Sequence, residues 1–132
     1  MLKSIKEVYG IVEESFHGVG DYRPLLRSIG DVLVQVDDDD YQGDARVLFK
    51  DKDGERYGVL IFGWGSCSGC DALQACESVK EIEELRDELC RQIVWGTKEE
   101  IARYIECRDW EATHLSQKET RDFVSIALQL LK

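Results

Sequence analysis

Apolar residues recur along this chain with two different periods, and the change of period divides it into segments. Ile5, Tyr9, Val12 and Phe16 are spaced by four, three and four, one apolar stripe on a helix over residues 2–17. Gly18 and Gly20 end it. After Pro24, Leu25, Leu26 and Ile29 suit a short helical turn.

The period then drops to two. Val32, Val34 and Val36 alternate with Leu33 and Gln35, so 31–37 reads as a strand. Residues 45–50 (ARVLFK) and 56–62 (RYGVLIF) read as two more. Asp51 to Gly54 between them is a hairpin signal. The continuous apolar end of the third run suits a central strand, buried on both faces. The economical arrangement is an antiparallel three-stranded meander.

Helical spacing returns afterwards. Residues 71–77 suit the opening of a helix. Ser78 with Glu81 reads as a capping box, ahead of a stripe of Ile82, Leu85, Leu89 and Ile93 that Gly96 stops. Thr97 with Glu100 is a second box, leading a helix to about Cys107. Ser116 with Glu119 is a third, ahead of Phe123, Ile126, Ala127, Leu130 and Leu131. The expected fold class is α+β, one domain over residues 1–132. It has an N-terminal helix, a three-stranded antiparallel meander, and three to four C-terminal helices packed on the sheet.

Composition narrows the possibilities. Hydrophobic residues make up 43% of 132, enough for a core in one domain. The net charge of -10 disfavours phosphate-directed nucleic-acid binding and anionic membranes, and favours basic partners or metal ions. The N-terminus lacks a signal-peptide pattern and no run has transmembrane length, so the expected location is cytoplasmic. Five cysteines, an odd number, fit reduced thiols better than a closed disulfide framework.

The densest stretch of unusual residues is Gly63 to Cys76, GWGSCSGCDALQAC. It lies between a buried strand and a helical pattern, where glycines permit close backbone approach and free N–H groups attract anions. It lacks the P-loop ending, and Gly69 falls one residue late for G-x-G-x-x-G. Trp64, Gly65, Ser66, Ser68, Gly69 and Asp71 are the candidate ligand contacts here, with Trp64 placed to stack on a ring. Tyr41 and Asp44 join them from the preceding turn. Cys67 and Cys70 form a C-x-x-C that suits redox or metal chemistry. The parallel βαβ pattern of dithiol oxidoreductases is missing. Zinc would need Cys76 as third ligand and a fourth from Cys90, Cys107, His17 or His114. The simplest account needs no cofactor: small residues let a tight turn pack against the core.

Asp37, Asp38, Asp39 and Asp40 form the second unusual stretch. An EF-hand is excluded, because its twelfth position falls on Phe49 and its flanks read as strands. The run suits a solvated hairpin loop and contact with Lys and Arg of a partner. A loop of this kind is expected to contribute little to stability. No nucleophilic triad is visible, so an enzyme is not favoured.

YQGD (Tyr41 to Asp44) and GWGSCSGCDALQAC together resemble a family of small bacteriophage-encoded proteins of unknown function. In these, a Tyr-Gln-Gly-Asp precedes an aromatic-Gly-Ser-Cys-Ser-Gly-Cys-Asp-Ala-Leu-Gln segment. The resemblance spans residues 41–76. It implies a phage or prophage product in a bacterial cytosol, and brings no catalytic residue. Two functions compete. One is a non-enzymatic acidic protein that occupies a host factor, possible targets including host defence, through Asp37–Asp40. The other is a small-ligand protein, for nucleotide or metal, using the Gly63–Cys76 loop.

Overall fold

In the computed structural model the structure describes residues 3–11, 16, 18–40, 42–65, 71–110, 113 and 115–132. Helices α1 (Ile5–Tyr9) and α2 (Arg23–Ile29) precede strands β1 (Asp31–Asp37), β2 (Gly43–Lys50) and β3 (Tyr57–Trp64). Then come α3 (Val79–Gln92), β4 (Val94–Gly96), α4 (Lys98–Cys107) and α5 (Gln117–Leu130). The class is α+β. The sheet has four antiparallel strands in the order β1-β2-β3-β4, one more than the meander predicted.

Both faces of the sheet are covered. Ala45, Val47, Phe49, Leu60 and Phe62 turn to one face, against Ile5, Leu25, Leu26, Ile82 and Leu89 from α1, α2 and α3. Leu48 and Val59 turn to the other, against Ile101, Ile105, Phe123 and Ala127 from α4 and α5. Burying one such leucine or phenylalanine contributes roughly 1.5–3 kcal/mol. The C-terminal helices therefore do not share one side, as a simple stack would have it: α3 joins the N-terminal pair and the other two take the opposite face.

Three local differences from the sequence reading have physical causes. Helix α1 ends at Tyr9, because Gly10 takes the left-handed conformation (φ 64°) and closes the helix with its N–H on Glu7. Residues 12–15 of the expected longer helix lie outside the described residues. Residues 71–76 form hydrogen-bonded turns instead of a helix, and α3 begins only after Ser78, whose hydroxyl accepts from the N–H of Glu81. Strand β4 docks because Gly58, opposite Trp95, has no side chain: a Cβ there would meet Ile93 and Trp95 at 2.7 Å.

The capping boxes differ. At Thr97 and Glu100 both reciprocal bonds form. At Ser116 the hydroxyl donates to the Glu119 carboxylate instead of capping the backbone. No described helix is long and apolar enough to cross a membrane.

Candidate functional site

Pairing of β2 with β3 sets Gly43 opposite Trp64 and Asp44 opposite Gly63. The end of the Tyr41–Asp44 turn thus lies beside the start of the Gly63–Cys76 stretch. Their side chains then part. Trp64 joins the α1–α3 core, whereas Asp44 shares the sheet face of Arg46, two residues on.

Beneath the end of β3 lies a buried polar knot. Asp71 is 3% exposed. The Tyr22 hydroxyl donates to its Oδ1 at 2.8 Å, and the Gly65 N–H reaches the same oxygen at 3.2 Å. The Gln74 N–H takes Oδ2 at 3.1 Å. The Tyr22 hydroxyl in turn accepts from the Leu73 N–H, and the Gln74 side-chain amide donates to the Gly65 carbonyl. A buried carboxylate is tolerable when donors surround it. Burial, reinforced by Asp71, pushes the Tyr22 phenol well above its ordinary range, so the proton stays where the knot needs it. Asp71 was a candidate ligand contact. Its carboxylate is instead spent on ties within the fold.

Above the knot a cavity of about 470 Å³ opens between the segment before α2 and the ends of β1 and β3. Trp64, Phe62 and Tyr22 give it aromatic walls, and Asp21, Arg23, Gln35 and Asp37 give it a polar rim. Arg23 clasps Asp21 through Nε at 3.1 Å and Nη2 at 3.2 Å, and this pairing holds the Asp21 carboxyl below its usual range. Gln35 donates to Asp37 at 3.0 Å. The indole N–H of Trp64 is shut off from solvent and has no acceptor among the described residues. Such a donor costs free energy until something accepts from it.

The candidates therefore scatter. Trp64 and Gly65 line this cavity together with Asp37, a residue that the sequence pattern gives to the partner surface. Asp44 lines a different groove, beside α3. Tyr41, Ser66, Cys67, Ser68, Gly69 and Cys70 lie outside the described residues, as do His17 and His114. Cys76 is buried, with its thiol on the Ala72 carbonyl, and burial pushes that thiol up, away from the reactive thiolate. Among the described residues no three His, Cys, Asp or Glu side chains gather as a metal site.

Asp38 is also spoken for. Its Oδ1 pairs at 2.8 Å with Arg46, which is wholly buried, and its Oδ2 accepts from the Asp44 N–H. Arg46 further donates to Thr120 of α5 and to the carbonyls of Val36 and Asp44. Gly43 permits this approach, since a Cβ there would sit 2.5 Å from the Asp38 carboxylate. The aspartate run is thus not a loop detached from the core. It carries the counter-charge of a buried arginine, contrary to the expectation that it matters little for stability.

Sequence reasoning missed Asp21, Tyr22, Arg23, Gln35 and Phe62 as cavity residues. They come from three separate segments, and only the register of the sheet brings them together. No family model, no curated protein and no solved structure matches this chain.

Proposed function

We propose that this protein is a non-enzymatic small-ligand binder, and that its site is the cavity walled by Trp64 and Phe62. The observation that carries this reading is the cavity itself, about 470 Å³, walled by Trp64, Phe62 and Tyr22 and rimmed by Asp21, Arg23, Gln35 and Asp37. That volume is within the range of roughly 300–1,000 Å³ usual for small-molecule sites.

The lining selects the ligand. Aromatic walls favour a flat ring. Asp37, at the rim, asks for a donor on it. Two carboxylates against one arginine, itself paired, make a poor seat for a bare phosphate group. A nitrogen-containing aromatic ring that carries an amino group, of nucleoside size, meets these demands. This keeps the nucleotide option of the sequence reading at its base end.

Calorimetric titration with adenosine, cytidine, uridine and inorganic phosphate tests it. Saturable heat is expected with the two amino-bearing nucleosides and not with phosphate. Trp64→Phe should abolish it. Absence of saturable binding by any nucleoside contradicts the proposal.

A second reading, an acidic protein that occupies a host factor, is favoured by the net charge and by the exposed acids of α3: Glu81, Glu83, Glu84, Asp87 and Glu88. Asp39 and Asp40 extend it. The phage resemblance supplies its setting, a bacterial host.

A further inference from the structure

The hydrogen bonds of β2 determine which way each backbone group of β3 points. Residues of an antiparallel pair alternate between facing the partner strand and facing away. The Asp44 N–H bonds the Asp38 side chain and its carbonyl accepts from the Asp38 N–H, so Asp44 faces β1. Its partner Gly63 therefore faces away from β2. The other end of the ladder gives the same phase, since Asp51 donates to Arg56 across the hairpin. Counting between these ends, Gly58, Leu60 and Phe62 face β2, and Tyr57, Val59, Ile61 and Gly63 face outward. Strand β4 takes up Tyr57 and Val59, opposite Gly96 and Val94. It stops there. The outward N–H and C=O groups of Ile61 and Gly63 have no strand beside them among the described residues.

An unpaired edge is a template for another strand, and proteins usually blunt it with lysine, proline or a bulge. The far edge of this sheet, β1, carries such a bulge at Leu33. The β3 edge, Leu60-Ile-Phe-Gly63, carries none of these. Beside it runs a groove of about 370 Å³, lined by Ile61, Gly63, Leu85, Glu88 and Leu89 among others. Leu85 and Glu88 also line an adjoining groove along α3 with Glu81 and Glu84, where Arg91 is the basic member.

We infer that the outer edge of β3 at Ile61 and Gly63 docks an extended, lysine- or arginine-bearing segment of another protein. The segment continues the sheet past the end of β4, with its basic side chains toward Glu88, Glu84 and Glu81. Backbone bonds supply affinity and the acids supply preference for a basic sequence. This rests on the binding-protein reading of the acidic surface and is independent of the nucleoside reading.

The test uses a synthetic decapeptide of alternating valine and lysine, its valine–glutamate counterpart, and amide chemical-shift mapping on the whole chain. The lysine peptide is expected to move and protect the amides of Ile61 and Gly63, with affinity falling as salt rises. The glutamate peptide should not. Gly63→Pro removes a donor that β2 does not use and should abolish binding. Should that variant fail to fold, Glu88→Lys serves, with an expected loss of about threefold to fivefold, the scale of one rim ion pair. Salt-sensitive binding that leaves Ile61 and Gly63 unmoved overturns the edge proposal and leaves the acidic-surface reading standing. No binding of the lysine peptide overturns both. A dimer of the chain that protects the same two amides assigns the edge to a second copy and also overturns the proposal.

Discussion

The Tyr22 hydroxyl and the Asp71 carboxylate lie 2.8 Å apart across 49 residues of sequence, both buried. This bond ties the start of α2 to the turn that follows the glycine–cysteine stretch, and it underlies the floor from which the Trp64 cavity rises. Tyr22→Phe keeps the ring and its packing on Phe62, whose centroid is 4.8 Å away. It removes the donor to Asp71 and the acceptor for Leu73. A loss of about 1–3 kcal/mol is expected, because a buried partner is left short of a bond. Urea unfolding of the variant measures it, and an unchanged midpoint would show the knot to be dispensable.

Arg46 and Asp38 make a sharper case. Asp38→Ala strands a guanidinium that has no access to solvent, and should cost on the order of 3 kcal/mol. Asp39→Ala, one residue on and exposed, should stay within about 0.5 kcal/mol. Replacing both members, with Arg46→Met beside Asp38→Ala, should recover part of the loss. Thermal unfolding of the three variants separates the outcomes. Equal effects at 38 and 39 would mean that the pair does not stabilise the fold.

The Asp21 carboxyl titrates low, chiefly through its hydrogen bond with Arg23. A lowered carboxyl stabilises the folded state at pH above its unfolded value, and that contribution fades as pH falls through the folded value. Arg23→Ala should therefore raise the Asp21 titration toward the ordinary carboxylate range. NMR titration of the Asp21 side chain checks it, and an unmoved curve would contradict the assigned cause.

Thiol reactivity should follow exposure. Cys107 is exposed, whereas burial raises the thiols of Cys76 and Cys90. Iodoacetamide labelling read by peptide mass should mark Cys107 well before the other two. Early labelling of Cys76 would contradict its buried placement.

Much of the fold was legible in the sequence because alternation and helical spacing report burial directly. The strands near 31–37, 45–50 and 56–62 and the helices behind Ser78 and Thr97 rest on such patterns. What escaped depends on contacts distant in sequence. Val32, Val34 and Val36 look like one face of a strand. The irregularity at Leu33 sends Val32 to the α1–α3 side and the other two to the α4–α5 side. Strand β4 is three residues long, too short for any period, and its one signal is a glycine facing Trp95 from β3. Arg46 sits between Ala45 and Val47 as an outward polar residue would, yet it is buried, because its partner lies eight positions back. The site was half legible. Trp64 and Gly65 announced themselves by composition, but Asp21, Gln35 and Phe62 are ordinary residues until the sheet assembles them.

The most direct measurement is the indole proton resonance of Trp64 during titration with cytidine. Trp110 already donates its indole N–H to the Ile105 carbonyl at 2.9 Å and serves as an internal reference. A flat ring stacked on the Trp64 side chain should shift that resonance through its ring current, leaving Trp110 in place. A Trp64 resonance unmoved at saturating cytidine and adenosine, or one that moves equally in an Asp37→Ala, Phe62→Ala variant that remains folded, would contradict the assignment of this cavity as a ligand site.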